Sequence, residues 1–388
     1  MSQRNPKEIR FGVIGCGLMG REFASAAARW CHLLALEFRP VIVAACDLNL
    51  AATDWFKKNV PTVRTTTTGY HELLTDKQID AIYCAVPHNL HAQLYSDIIH
   101  AGKHLLGEKP FGIDRTANEV ISAAARENEA VLVRCSSEFP FFPAAYQITK
   151  WVRENRFGKI IEVEAGLWHS SDLNPDKPIN WKRLVSSNGD YGCMGDLGMH
   201  MLHLPLRFGW KPRNVRALLS NIVKERPDHE GERVACETWD NAILACEVAT
   251  HDQTFPMTLS TKRIAPGHSN TWFLNIYGTD FSVKFSTKNP KQLSTLPYTP
   301  GEEQAWHVVD VPYQSAYKTT TDGIFEFGFS DSISQMWAAF CDELVHGPQM
   351  QQPFYCATPE EAAQTHVIFT AALESQRSRQ TIPLVWKA

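Results

Sequence analysis

The sequence contains no long apolar run. Although 44% of its 388 residues are hydrophobic, no stretch approaches the roughly 20 consecutive apolar residues of a transmembrane helix. The polar start MSQRNPK leads directly into a strand-like run and shows no secretory apolar core with a cleavage site. We therefore expect no membrane partner and a cytoplasmic location.

Clustered positive charge and paired cysteines are also absent. Lys and Arg number 38 against 42 Asp and Glu, a formal net charge of −4, and no basic cluster appears. This balance predicts no nucleic-acid partner. The ten cysteines are scattered and form no CxxC pair. Several lie inside apolar runs such as VIVAAC and AIYCAV, which favours buried free thiols over disulfides or zinc ligation.

The chain is longer than one compact core usually holds, so we expect two domains. In residues 1–135, short apolar runs alternate with helical patterns. The strand-like runs are 10–15, 41–47, 80–86, 103–109 and 130–135. Buried strands that alternate with helices predict an α/β domain with a doubly wound parallel sheet, which is typical of nucleotide binding.

The pattern changes at residue 136, and residues 136–388 form the second predicted domain, of the α+β class. Its β-type runs are 160–169, 215–223, 241–250, 257–263, 271–278 and 281–285. Few helices separate these runs, which predicts a large open, mostly antiparallel sheet. We expect extended loops over 294–325 and helices at about 333–345 and 359–376, the last of which packs back on the first domain.

The segment GCGLMG follows the first strand and opens a helix. Gly15 permits a tight turn, Gly17 lets pyrophosphate approach the backbone, and Gly20 lets helix and strand pack closely. Asp47, at the end of the second strand, is placed to bind ribose hydroxyls and to repel a 2′-phosphate. This combination predicts NAD as cofactor and disfavours NADP. The alternative is a glycine-rich turn that binds nothing.

Two further segments carry polar residues suited to catalysis. Lys109 lies in GEKP, at the end of a predicted parallel strand, where ligands bind in such sheets. In GDLGMHMLH, Asp196, His200 and His203 share one face of a predicted helix. This spacing is compatible with a metal site, an acid–base pair or an ordinary helix. It differs from HExxH and no fourth ligand is indicated, which disfavours a metal.

The segments GCGLMG, AVPHNLH, AGKHLLGEKPF and GDLGMHMLH resemble the glucose–fructose oxidoreductase / inositol dehydrogenase / MocA (Gfo/Idh/MocA) family of NAD(P)-dependent oxidoreductases. The resemblance covers most of the chain, most specifically residues 9–145 and 189–205. It implies an N-terminal Rossmann domain and a C-terminal α+β domain whose open sheet joins a homodimer or homotetramer. It also implies that Lys109, Asp196 and His200 form the catalytic group, which leaves a metal without a task.

These residue types suit the oxidation of a secondary alcohol by hydride transfer. His200 can take the hydroxyl proton near neutral pH, and Lys109 can hold and polarise the reacting oxygen. Asp196 can orient the substrate hydroxyl or the imidazole, and the choice between His200 and Lys109 as proton acceptor stays open. Relatives often have Asp and Arg where this chain has His203 and Glu138, which leaves the substrate open.

Predicted cofactor contacts follow the ends of the strands. They are Gly15, Gly17, Leu18, Met19, Gly20, Asp47, Pro87, His88, His91, Glu108 and Lys109; for His91, helix packing or capping is the alternative. Predicted substrate contacts are His169, Trp181, Arg183 and His203. The aromatic ring of Trp181 beside cationic donors, Lys182 among them, suits a sugar or an anionic sugar. A core Trp with solvated Lys and Arg is the alternative.

We therefore expect an NAD-dependent oxidoreductase that oxidises a secondary hydroxyl of a sugar, polyol or sugar derivative. A first alternative is an NAD-dependent glycoside hydrolase that works by transient C3 oxidation, elimination, hydration and re-reduction. That cycle needs an additional base, for which His203, Tyr191 or His169 are candidates. A second alternative is a non-catalytic NAD-sensing regulator, which is disfavoured because a sensor needs no proton acceptor.

Overall fold

The structure, a computed structural model, describes residues 6–34, 36–311, 315–321 and 327–386. Two main sheets organise this part of the chain, one of six strands and one of nine. All ten cysteines are free thiols, and all except Cys31 are buried. The apolar runs around them predicted this burial.

The first sheet is parallel throughout. Its strands are β1 (Lys7–Ile14), β2 (Phe38–Cys46), β3 (Thr65–Thr67), β4 (Ala81–Cys84), β5 (His104–Gly107) and β6 (Val133–Cys135). They lie in the order β3-β2-β1-β4-β5-β6. The strands are short apolar runs because helices cover both faces of such a sheet. The predicted doubly wound domain is confirmed.

Five helices follow or connect these strands. They are α1 (Leu18–Ala28), α2 (Leu50–Asn59), α3 (Tyr70–Thr75), α4 (His91–His100) and α5 (Arg115–Glu127). Side chains cap two of them, because Asn49 accepts a hydrogen bond from the backbone of α2 and Asp114 one from that of α5. The strand order reverses between β1 and β4, and a crevice outside the strands' carboxyl ends forms at such a point.

The second sheet is mixed and mostly antiparallel, as predicted. The strands after residue 136 are β7 (Ile160–Trp168), β8 (Pro212–Ser220), β9 (Glu225–Pro227), β10 (Arg233–Ala235), β11 (Asn241–Ala249), β12 (Thr254–Lys262), β13 (Thr271–Gly278), β14 (Phe281–Ser286), β15 (Gln292–Pro297), β16 (His307–Asp310) and β17 (Ile382–Pro383). Nine of them pair in the order β16-β15-β14-β13-β7-β12-β11-β8-β17, whereas β9 and β10 form a separate pair. In the part of this sheet that the structure describes, β7 and β12 are the only parallel neighbours.

The prediction of extended loops over 294–325 is wrong for part of that range. Strand β15 pairs with β14, and β16 pairs with β15 at the edge of the sheet. The four residues of β16 are all exposed, so no alternation of buried and exposed positions marked them as a strand. Residues 312–314 and 322–326 of the same range lie outside the described residues.

Five helices complete the second half of the chain. They are α6 (Pro143–Arg153), α7 (Val185–Asn188), α8 (Cys193–Arg207), α9 (Phe329–His346) and α10 (Pro359–Ser378). The side chains of α8 are buried from Cys193 to Leu206, because this helix packs against β7 and β12 on one side and α10 on the other. The helix that carries GDLGMHMLH is therefore an interior element.

The last two helices return to the first sheet. In α9, Trp337 stacks on Phe11 of β1 with ring centroids 5.0 Å apart. In α10, His366 Nε2 donates to the Pro110 carbonyl oxygen at 2.8 Å, while Ser375 Oγ accepts from the Ala217 backbone in β8 at 3.0 Å. Residues 329–378 thus contact both sheets and join the two halves of the molecule.

Candidate active site

A cleft of about 870 Å³ opens at the carboxyl ends of the first sheet. Its walls come from both halves of the chain. One wall is built from the glycine-rich turn, the ends of β2 and β4, and Lys109 after β5. The other is built from the end of β7, the loop before α8, the first turns of α8 and Arg263 after β12. The cleft therefore brings together segments that lie far apart in sequence.

The glycine-rich turn has the geometry that its three glycines predict. Gly15 has a φ of +95°, and a Cβ built there would lie 2.2 Å from the Ala85 carbonyl oxygen. A Cβ on Gly20 would lie 2.2 Å from the Gly15 carbonyl oxygen, so both positions exclude a side chain. A Cβ on Gly17 would meet nothing within 4 Å. Open space therefore remains where a ligand can approach the backbone.

The first turn of α1 faces that space. Gly17 precedes the helix and offers no side chain to its backbone N–H groups, and the next residue, Leu18, is 82% exposed. Unpaired N–H groups at a helix start bind anions such as pyrophosphate. Leu18 and Met19 line the cleft beside them. The residues present therefore fit a dinucleotide.

Asp47 follows β2 and fastens the glycine-rich turn. Its carboxylate accepts hydrogen bonds from the Cys16 backbone at 2.8 Å and from the Asn49 backbone at 2.9 Å. A carboxylate has about four acceptor positions, so further positions remain for ribose hydroxyls. Asp47 also lines the cleft, where its charge would repel a 2′-phosphate.

Lys109 is anchored on the first turns of α8. Its Nζ donates to the backbone oxygen of Asp196 at 2.6 Å and to the carboxylate Oδ1 of Asp196 at 3.1 Å. Burial acts to lower the pKa of Lys109, but the carboxylates of Asp196 and Glu108 outweigh it and raise the pKa above its ordinary value. Lys109 therefore carries a positive charge in the cleft.

Asp196 binds two further cations. Lys182 Nζ lies 3.0 Å from Asp196 Oδ1, and Arg263 donates to Asp196 Oδ2. Although burial acts to raise the pKa of Asp196, its cationic neighbours hold that pKa well below the usual range. The Asp196 carboxylate therefore pairs with three cations. Its expected role in orienting the substrate hydroxyl or the imidazole stays a prediction.

His200 lies one turn further along α8 and is nearly buried. Its Nδ1 is 3.4 Å from Ser137 Oγ and 3.9 Å from Glu138 Oε2, and its ring packs edge-on against Phe139. Burial and the positive charge of Lys109 lower its pKa well below the ordinary value. His200 is therefore neutral at physiological pH and can accept a proton.

Four predicted cofactor positions line the cleft after β4 and β5. Pro87, His88, Glu108 and Lys109 all face it. His88 donates to the Asn188 carbonyl oxygen at 3.3 Å and packs edge-on against Trp181. His91, in contrast, donates to the Val86 carbonyl oxygen at 3.0 Å and stacks on Tyr95. The structure places His91 in helix packing behind the cleft wall, not on its surface.

Two predicted substrate residues lie away from the cleft. The Arg183 guanidinium is fully buried, pairs with Asp240 at 2.5 Å and supports the loop before α8. The His203 ring is also fully buried, 3.8 Å from the Glu361 carboxylate of α10. The sequence interpretation of Arg183 and His203 as substrate contacts is corrected, because both side chains point into the protein interior.

The remaining predicted substrate residues do line the cleft. Trp181 forms part of a single 3₁₀ turn, Trp181–Arg183, and His169 follows β7. The His169 Nδ1 accepts a hydrogen bond from the Ser171 backbone at 3.0 Å. Burial and the charge of Arg263 lower the His169 pKa to about 4, so the neutral ring carries its proton on Nε2 and is a donor.

Sequence reasoning missed three charged residues of the cleft as site residues, Lys177, Lys182 and Arg263. Lys182 had been noted only as a cationic neighbour of Trp181, and Arg263 ends the β12 run without any motif around it. Both become part of the site through contacts to Asp196 that span 14 and 67 residues. Its position as a basic residue at the end of a predicted strand was the available signal for Arg263.

The described residues contain no group of three or more His, Cys, Asp or Glu side chains arranged to hold a metal ion. Asp196 and His200 face the cleft whereas His203 does not, so the three residues of GDLGMHMLH form no ligand set. In the same part of the chain, no helix is both long and apolar enough to span a bilayer.

Comparison with known families identifies the chain. Residues 9–135 match the model described as an oxidoreductase family with an NAD-binding Rossmann fold, and residues 146–284 match the GFO/IDH/MocA C-terminal domain. The chain belongs to the GFO/IDH/MocA family of oxidoreductases. The glycine-rich turn, the start of α1 and Asp47 are thus parts of an NAD-binding domain.

Individual relatives agree with this membership. Levoglucosan dehydrogenase of Pseudarthrobacter phenanthrenivorans is 24% identical over 305 residues, which are 74% of this chain and 76% of that protein. The dTDP-3,4-didehydro-2,6-dideoxy-alpha-D-glucose 3-reductase of Actinomadura kijaniata is 31% identical over 200 residues, 50% of this chain and 54% of that one. A solved levoglucosan dehydrogenase complex with NADH shares the fold, with a TM-score of 0.86 at 19% identity over 98% of this chain and 100% of that chain.

Proposed function

We propose that this GFO/IDH/MocA protein is an NAD-dependent dehydrogenase that oxidises a secondary hydroxyl of a sugar, polyol or sugar derivative. The observation that supports the proposal most directly is the partly buried Lys109 ammonium. It is anchored on Asp196 in the same cleft as the neutral His200 and the glycine-rich turn. Relatives named as levoglucosan dehydrogenase and D-xylose 1-dehydrogenase support the substrate class.

Lys109 and His200 have different tasks in this reaction. The glycine-rich turn, the start of α1 and Asp47 would hold NAD, which would supply the acceptor for the hydride of the carbinol carbon. The protonated Lys109 donates a hydrogen bond to the reacting oxygen and stabilises the negative charge that develops there. His200 accepts the hydroxyl proton because it is uncharged at the working pH. The proposal thus assigns the role of proton acceptor to His200 rather than to Lys109.

The surrounding residues position these two groups. Asp196 fixes Lys109 through two hydrogen bonds, so that the ammonium is in place before the substrate binds. Phe139, Leu167 and Leu197 line the cleft with apolar surface, which excludes water and strengthens the charge interactions inside it.

Replacement of the lysine tests the proposal. We expect the wild type to form NADH with at least one member of a panel of sugars, polyols and glycosides. Lys109→Ala should lower kcat by about a hundredfold or more, since the oxygen loses its charged donor, while NADH binding measured by fluorescence survives. Lys224→Ala, an exposed lysine, is the matched control. Unchanged turnover in Lys109→Ala would refute the assignment.

A redox-neutral glycosidase is the second candidate, and the site supports it less. That cycle needs an additional base. The Tyr191 hydroxyl is bonded to Thr370 at 2.7 Å, and His203 is interior. Only His169 lines the cleft, and its neutral ring is arranged as a donor. Aglycone release without net NADH in the same panel would favour this candidate over a dehydrogenase.

We also propose that the outer face of the second sheet joins two or more copies of the chain. Helix α8 covers the inner face, whereas Leu218 and Ile243 on the outer face are 61% and 41% exposed. Apolar side chains on an exposed sheet face favour burial against a partner.

Light scattering after gel filtration should show a dimer or tetramer. The double substitution Leu218→Lys with Ile243→Lys should shift the oligomer toward the monomer. A monomeric wild type would contradict this.

A further inference from the structure

Lys182 is a second lysine of the cleft, with 31% of its side chain exposed, and the loop that carries it is fixed. Asn180 Oδ1 accepts a hydrogen bond from the Lys182 backbone at 3.0 Å, and Thr238 donates to the Lys182 carbonyl oxygen at 2.9 Å. The side chain then extends into the cleft beside Trp181. Its Nζ lies 5.5 Å from the centre of the Trp181 ring.

The ammonium groups in this part of the cleft keep hydrogen-bonding capacity. Among the described residues, Lys182 Nζ donates hydrogen bonds to the two carboxylate oxygens of Asp196, at 3.0 and 3.3 Å, and to no other group. Lys177 Nζ donates to the Ser171 carbonyl oxygen at 2.8 Å and to Asp172 Oδ1 at 3.2 Å. An ammonium has three donors, so each lysine retains one. Both residues line the cleft, where that donor can reach a ligand.

The ion network around these lysines carries excess positive charge. Lys109, Lys182 and Arg263 share Asp196, while Arg263 and Lys177 share Asp172. Four cations therefore face two carboxylates. Unbalanced charge in a partly desolvated site is costly unless a ligand compensates it.

Two glutamates nearby do not fully offset this excess. The Glu108 carboxylate helps to raise the pKa of Lys109 and its Oε1 accepts a hydrogen bond from the Tyr83 hydroxyl at 2.7 Å, so four cations still face three carboxylates. Burial and the Glu108 charge raise the pKa of Glu138 to about 8. Glu138 consequently keeps its proton at neutral pH and adds no negative charge.

We propose that Lys182 binds an anionic substituent of the substrate, so that the protein acts on an acidic sugar bearing a carboxylate or phosphate. The inference rests on the proposed dehydrogenase function and specifies its substrate class. The ring of Trp181 offers a face for the sugar, and the spare donor of Lys182 pairs with the anion while Lys109 holds the reacting oxygen. A neutral sugar leaves the excess charge uncompensated.

Acid-substrate binding should weaken as the pH rises. Burial is the main cause that lowers the Lys182 pKa to about 8, and Asp196 opposes it. The other charged or titratable groups that face Lys182 are Arg263, Lys109, His88, His169 and His200. The three histidines have lowered pKa values and stay neutral at neutral and alkaline pH. Loss of the Lys182 proton therefore removes the charge that holds the anion.

Matched substrate pairs test the inference. Each neutral sugar or polyol is compared with its uronate, its aldonate, its phosphate ester and its amino derivative, with kcat/KM measured for the wild type and variants. We expect one acidic member to exceed its neutral partner by roughly tenfold or more, as for a charged hydrogen-bonded pair. Lys182→Met should abolish this ratio, Lys182→Arg should keep most of it, and Lys224→Met should not change it. Comparison of kcat/KM between the carboxylate and phosphate substrates shows which of the two anions Lys182 binds.

Calorimetry with NADH-loaded enzyme supplies a readout that does not need turnover. Gluconate and sorbitol are the probes, and the gluconate preference should disappear in Lys182→Met. The inference would be overturned if the two probes bound equally and kcat/KM were equal in all pairs. It would also be overturned by a preference for an amino sugar, or if Lys182→Met left the ratio of kcat/KM between acidic and neutral substrates unchanged. Oxidation of neutral sugars alone would overturn it and leave the proposed function intact. Anion binding without NADH formation from any sugar would support the site and count against the dehydrogenase.

Discussion

At the scale of single residues, Glu138 shows how burial sets the charge of a side chain in the cleft. Its carboxyl group is nearly inaccessible to solvent and lies close to Glu108. An ordinary glutamate has a pKa of 4.5, whereas burial raises that of Glu138 to about 8. The folded protein therefore holds a proton that the unfolded chain has released over the range between these two values.

This difference makes a prediction about stability. Because the folded state binds the extra proton, Glu138 destabilises the fold increasingly as the pH rises from 4.5 to about 8. Glu138→Gln, which mimics the protonated acid, should raise Tm relative to wild type at about pH 8 and change it much less at about pH 5. Glu303→Gln, at an exposed position, should have no such pH-dependent effect. An equal shift at both pH values would show that Glu138 is not held neutral.

At the same scale, Lys109 and His200 line the cleft that the sequence predicts for them, whereas Arg183 and His203 do not. Lys109 and His200 lie in motifs with a recognisable spacing and context. Arg183 and Lys182 are adjacent in sequence, yet one is buried against Asp240 and the other faces the cleft. The direction of a side chain in an irregular loop depends on distant contacts, and the local sequence does not contain them.

At the scale of elements, the turn between β1 and α1 has two glycines with opposite surroundings. A Cβ on Gly20 would collide with the Gly15 carbonyl oxygen, whereas one on Gly17 would meet open space. Gly20→Ala should therefore destabilise the fold by about 1–3 kcal/mol, as overpacking does. Gly17→Ala should leave Tm nearly unchanged but weaken NADH binding, because the methyl group occupies the space for pyrophosphate.

Urea unfolding and NADH fluorescence titration separate these two effects. If Gly17→Ala is as stable as the wild type but binds NADH more weakly, the result would support the glycine-rich turn as the site of pyrophosphate binding. If Gly17→Ala bound NADH as tightly as the wild type, the pyrophosphate would have to lie elsewhere.

Elements with strong patterns were predictable and weakly patterned ones were not. The buried strands β1, β2 and β4 are apolar runs, and the alternating strand β7 shows the expected two-residue period. Strand β3 is three threonines, and β16 is exposed throughout. These two strands form through pairing with a neighbour, β2 or β15, so their own residues carry little signal.

At the scale of the whole molecule, the site depends on both halves of the chain. Lys109 comes from the first sheet and Asp196 from a helix packed on the second. Helices α9 and α10 hold the two sheets together through contacts such as Trp337 with Phe11 and His366 with Pro110. Hydrophobic periodicity predicts that such helices exist, but it does not contain the tertiary contacts that return α9 to the first sheet.

The most direct test of the central claim is a single turnover of the NAD-loaded protein with a sugar deuterated at the reacting carbon. Absorbance reports NADH while chromatography quantifies the oxidised sugar and any released aglycone. A dehydrogenase should form NADH and oxidised sugar in equal amounts, at a rate slowed several-fold by deuterium. Aglycone release without net NADH, or NADH formation that is insensitive to deuterium and to Lys109→Ala, would contradict hydride transfer at this site.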